Sequence, residues 1–166
     1  MTFGQRVTGV LKLQPQVFEE IEGDRSATSQ ALTVVVLASV AAGLGGGLFI
    51  GPIALIQTTI ASLVGWVMWA ALTYVIGTKL MPEPGTRTDM GELLRVIGFS
   101  YAPNLFAFFA FIPVLGLLVR VVVAFWLLAA TILAVRQALD YRSTLRAGAV
   151  VLIGWVVFML ITIVFA

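Results

Sequence analysis

The sequence predicts an all-α polytopic integral membrane protein: a compact bundle of five transmembrane helices behind a short amphipathic N-terminal segment. Three observations predict it. The 166 residues are 60% hydrophobic and 11% charged, with mean hydropathy +1.06, whereas a soluble domain is about half apolar and a quarter charged. A soluble core of this size could not hide that much apolar surface from water. The apolar residues also fall into five runs, each near the roughly 20 helical residues that cross a hydrocarbon layer about 30 Å thick. Finally, the basic residues gather on one side of those runs.

The first 29 residues form a lead segment. It carries four acids and no continuous apolar run, which argues against a signal peptide. In TFGQRVTGVLKL, Phe3, Val7, Val10 and Leu11 share one helical face, with Arg6 and Lys12 off it. Val17, Phe18 and Ile21 make a second apolar stripe beside Glu19, Glu20 and Glu22. This spacing suits either a helix lying in the headgroup layer or a solvated cap packed on the cytoplasmic loops.

A single transmembrane domain follows from residue 30 to 166, with spans over about 30–47, 53–78, 92–112, 114–139 and 145–166. Gly45-Gly46-Gly47 and Gly51-Pro52 separate the first two, and MPEPGTRTD (81–89) separates the second from the third. Asp89 and Glu92 have the spacing of a helix start. Pro113 ends the third helix and fits the first turn of the fourth. Ser143 or Thr144 caps the fifth. With the N-terminus inside, nine of the ten basic residues lie on inner segments, and Arg120 is the exception. This bias predicts a cytoplasmic N-terminus and an external C-terminus. The competing reading has four spans, with the glycine-rich first segment dipping in and out.

Small residues at four-residue spacing mark where backbones approach in lipid. Ser39, Gly43 and Gly47 offer such a face on the first span, Ala61 and Gly65 on the second, and Gly98 on the third. Trp66, Trp69, Trp126 and Trp155 fall near mid-span, where they are expected to fill gaps between helices. Pro103 removes a helical hydrogen bond to the carbonyl of Phe99. Ser100 and Tyr101 are placed to compensate, so this stretch is expected to be a kink facing protein or a wet cavity rather than lipid.

Polar groups inside the spans are few. Gln57, Asn104 and Arg120 lie in the outer half and form a candidate polar cluster, either a vestibule for an anion or lipid headgroup or three locally satisfied side chains. On the inner side, Glu92 with Arg95 and Arg136 with Asp140 have ion-pair spacing. The chain has no His and no Cys, and no acid falls in mid-span. Acid–base catalysis, nucleophilic triads, thiolate metal sites and proton relays therefore lack their usual parts. Neither a catalytic residue nor a metal or cofactor site is expected, and the pattern gives no reason to expect nucleic-acid binding.

RVIGFSYAPNL (95–105), IPVLG (112–116) and VRQALD (135–140) resemble the Yip family of small five-span membrane proteins named for interaction with Rab-type GTPases. The likeness is to its bacterial branch, which has a lead similar to VFEEIEGDRSATSQAL (17–32). The resemblance implies a cell-membrane location and a cytoplasmic N-terminus. It also implies roles in membrane organisation or traffic through lipid, helix or partner contacts, including a homo-oligomer. The chain lacks the long acidic-aromatic tail of eukaryotic members, so Rab-type GTPase binding is not carried over. The alternative is a small-solute or ion permease, or a lipid-handling protein, built on the third helix and the outer polar cluster.

Overall fold

The computed structural model describes residues 1–46 and 51–165. Among these, every regular element is helical. A short pair, α1 (Phe3–Leu11) and α2 (Pro15–Gly23), precedes the long helices α3 (Ala27–Gly46) and α4 (Pro52–Val75), and α4 ends in a π turn over Ile76–Leu80. The third span begins as α5 (Met90–Ser100) and continues as a 3₁₀ helix, Ala102–Phe111. α6 (Leu115–Ala138) and α7 (Thr144–Phe165) complete the chain. Five helical segments are long and apolar enough to cross a membrane.

The third span is the centre of the bundle. It is 56% buried against 22–33% for the other four, and α3, α4 and α6 all pack on it. The end carrying α1, α2 and the α4–α5 and α6–α7 connections is called proximal here, and the opposite end distal.

Local chemistry explains the third span. Asp89 accepts from the Glu92 amide and Glu92 accepts from the Asp89 amide, both at 2.8 Å, which closes a capping box at the start of α5. Pro103 cannot donate a helical hydrogen bond, and the winding tightens there from α to 3₁₀. The Tyr101 amide bonds the Gly98 carbonyl at 3.3 Å and the Asn104 amide bonds the Tyr101 carbonyl at 2.9 Å. The winding changes from α to 3₁₀ at the position where the kink is expected. Ser100 donates to the Ile97 carbonyl at 2.7 Å and lies 3.3 Å from the Thr131 hydroxyl. Phe99, Ser100, Ala102 and Pro103 are all buried in protein.

Glycines set the closest approaches. A Cβ on Gly45 would overlap the Ala107 carbonyl, so α3 lies backbone against backbone on the 3₁₀ helix. A Cβ on Gly98 would stand 2.8 Å from the Ala31 Cβ and 3.1 Å from the Trp66 ring. Of the other small residues, Ser39 is buried with its hydroxyl 3.4 Å from that of Thr59. Gly43 faces Leu55, Gly65 faces Phe158, and Ala61 is exposed. Gly47 lies outside the described residues.

The lead docks on the long helices themselves. α1 and α2 form an antiparallel pair packed on α5, α6 and the 3₁₀ helix. Val10, Phe18 and Ile21 are fully buried. Arg6, placed by spacing on the polar face, is also buried, because it holds Glu20 through two hydrogen bonds of 2.8 and 2.9 Å, Gln30 at 2.8 Å, and Asp24.

A lateral groove between three spans as the candidate functional site

α6 and α7 are joined by a short connection at the proximal end. There Arg136 Nε donates to the Tyr141 carbonyl at 3.3 Å. Tyr141 is buried, and its hydroxyl donates toward the carbonyls of Gly77 and Met81 at 3.0 and 2.6 Å. This ties the α6–α7 connection to the π turn of α4. Gly148 faces Ile132 above it. Farther up, α7 stays against α4, with Trp69 edge-on to Phe158 at 6.0 Å between ring centroids.

The result is a groove of ≈ 680 Å³ bounded by α4, α6 and α7. Gly65, Trp69 and Phe158 form part of its wall, and Tyr101 contributes where the third span changes winding. Its mouth is marked by lining residues that remain exposed: Phe125 (69%), Trp155 (61%) and Leu152 (55%). Trp155 therefore stands at an opening and does not fill a gap between helices. No charged residue lines the groove, and its polar side chains are the hydroxyls of Ser62, Tyr101 and Thr131 together with the tryptophan ring nitrogens. Thr131 is already engaged with the Leu127 carbonyl at 2.8 Å.

The sequence-predicted polar residues sit on three helices, Gln57 on α4, Asn104 on the 3₁₀ helix and Arg120 on α6. Gln57 and Arg120 are exposed and Asn104 is partly buried. No side-chain hydrogen bond or ion pair joins any of them to another among the described residues. Neither proximal ion pair forms. Glu92 is taken by the capping box, and the buried Arg95 turns to the Glu22 carbonyl, with Nε at 3.0 Å. Asp140 lies past the end of α6 at φ 52°, so the four-residue helical spacing to Arg136 no longer holds.

Apart from Arg120, the charged residues lie in the lead segment or toward the proximal end. The Arg6 guanidinium, by its hydrogen bond first, holds the Glu20 carboxyl at about 2. Asp24 is held at about 2 by hydrogen bonds from Ser26 and then Arg6. Glu22, at the seam between α2 and the bundle, is pushed up to about 7 by burial first. Repulsion from Glu92, Asp140 and Glu19 adds to the rise, and Arg95 opposes it.

Sequence reasoning placed Tyr101 in a stretch facing protein or a wet cavity, and it passed over Tyr141 as a tie and Gly45 as a backbone-to-backbone helix contact. Gly45 sits in the Gly45-Gly46-Gly47 run that was read as a helix end.

The family signature of the Yip1 domain matches residues 8–166 of this chain. The chain belongs to the Yip1 family. No curated protein and no solved structure matches it. Membership covers all five candidate spans and α2 with them, so the groove and its tie at Tyr141 lie wholly inside the Yip1 domain.

Proposed function

We propose that this Yip1-family membrane protein is a non-enzymatic organiser of the bilayer, working through contacts of its spans with lipid or with a partner in the membrane. One observation carries the reading: the cavity between α4, α6 and α7 opens sideways through exposed apolar side chains and is lined by no charged residue. A surface of this kind suits a hydrophobic occupant. A catalytic site needs a proton donor or acceptor beside the reacting atoms, and a proton-coupled carrier needs a titratable relay. The permease reading has less support, because no side-chain hydrogen bond or ion pair among the described residues joins Gln57, Asn104 and Arg120. The charge bias supports a cell-membrane protein with α1 and α2 on the cytoplasmic side.

The test is reconstitution of the full chain into liposomes. Ion and small-solute permeability is expected to equal that of protein-free liposomes. A solute flux that disappears in Asn104→Ala, with helix content unchanged, would refute the organiser reading in favour of the permease.

A further inference from the structure

Resting on that reading, we propose that the groove takes one acyl chain of a phospholipid whose phosphate is held by Arg120. The occupant follows from dimensions and charge together. The lining of α6 runs from Ala124 to Thr131 and that of α4 from Ala61 to Trp69, or about 10–12 Å along each helix. A transmembrane helix needs a seat along much of the hydrocarbon layer of about 30 Å, whereas a chain from one leaflet occupies about half of it. The groove therefore has the length of a lipid chain and is short for a helix.

Helical register places the polar groups at the end of the groove where a headgroup would lie. Arg120 is one turn before Ala124, on the α6 face that also carries Leu127 and Thr131. Gln57 is one turn before Ala61 on α4, and Thr162 is one turn beyond Phe158 on α7. All three displacements point toward the distal end. Two residues of the predicted polar cluster, Gln57 and Arg120, thus rim one apolar slot from two walls, with Thr162 on the third. Arg120 is exposed and about 6 Å beyond the lining of α6. It is the one basic residue of ten on the distal side, and all eight acids lie in the lead segment or near the proximal connections. A guanidinium there matches a phosphodiester in charge and in its forked donor geometry.

Native mass spectrometry of the full chain in detergent tests this with three probes: dioleoylphosphatidylglycerol, dioleoylglycerol with the same chains and no phosphate, and glycerol phosphate with no chains. One phosphatidylglycerol per chain is expected, with dioleoylglycerol about tenfold weaker and glycerol phosphate unbound. Arg120→Ala should bring phosphatidylglycerol down to the dioleoylglycerol level, and Arg120→Lys should restore part of the difference. Ala124→Phe, on an exposed wall position, should abolish binding of both lipids. Equal binding of the two lipids by the natural chain overturns the proposal. So does an unchanged affinity in Arg120→Ala or Ala124→Phe, or a second copy of the chain crosslinked into the groove from a cysteine at Leu152. These readouts are independent of solute flux: loss of lipid binding without flux removes this site and leaves the organiser reading intact.

Discussion

Replacing Glu22 with Gln should tighten the docking of α1 and α2 at alkaline pH and remove most of its pH dependence between 4.5 and 7. The Glu22 carboxyl is half-buried where α2 meets the bundle, and it titrates at about 7 instead of 4.5. Between those values the docked state keeps a proton that the undocked state has released, so docking weakens as pH rises. The stabilisation is complete below 4.5 and gone once pH passes about 7. At 1.36 kcal/mol per unit the full rise corresponds to about 3 kcal/mol. The side chain is partly open to solvent, and screening reduces this to about 1–2 kcal/mol, or a factor of about 5–30 in the open fraction. Amide exchange of α1 and α2 at pH 5, 6, 7 and 8, normalised to intrinsic exchange rates, measures it. Protection should fall across that range in the natural chain and stay nearly level in Glu22→Gln. Parallel slopes in the two proteins would refute the reasoning, since Glu22 would then not be the group that titrates.

Three further outcomes are expected. Glu20 and Asp24 are both held at about 2, so their stabilisation is present above the usual carboxylate range and lost as pH falls from 4.5 toward 2. Arg6→Ala should shrink that acid limb, leaving the part that Ser26 and the N-terminal amine supply, and weaken docking by about 2 kcal/mol, read by the same exchange experiment. Gly45→Leu, whose side chain would drive into the Ala107 carbonyl, should cost about 3 kcal/mol or more, measured by denaturant unfolding in detergent. Val114 sits at φ 70° in a tight turn closed by the Leu115 amide on the Pro113 carbonyl at 2.8 Å, and it is 97% exposed. Val114→Gly should relieve that strain and raise stability by about 1 kcal/mol in the same assay.

The sequence revealed the helices because lipid imposes their length and apolarity on every residue that crosses it. The Asp89–Glu92 capping box was legible for a related reason: its partners are three residues apart. The ion pairs were misread because spacing says which side chains are near each other and nothing about competing partners. Arg95 goes to Glu22, seventy-three positions away in sequence. Arg6 was misassigned likewise, since its partners Glu20, Asp24 and Gln30 lie on α2, just past it and on α3. The groove was illegible in principle: its walls are ordinary apolar helix faces, and the space exists because α4, α6 and α7 do not close on one another. The 3₁₀ winding did leave a trace in the sequence. Ala107 and Ala110 repeat at three residues, as do Phe106 with Phe109 and Phe108 with Phe111. Phe108 and Phe111 meet edge to face at 5.3 Å, as that winding allows.

With three residues to each turn, Ala102–Phe111 presents three straight ridges instead of the slanting rows of an α-helix. Each ridge meets one neighbourhood along its whole length. Removing one residue shifts every later side chain onto the next ridge, while removing three restores the faces and shortens the stretch by about 6 Å. In an α-helix the same triple deletion leaves the faces some 60° out of step. Evolution can therefore edit this one stretch in threes, and substitution patterns among relatives should beat with a period of three here and 3.6 in the other four spans.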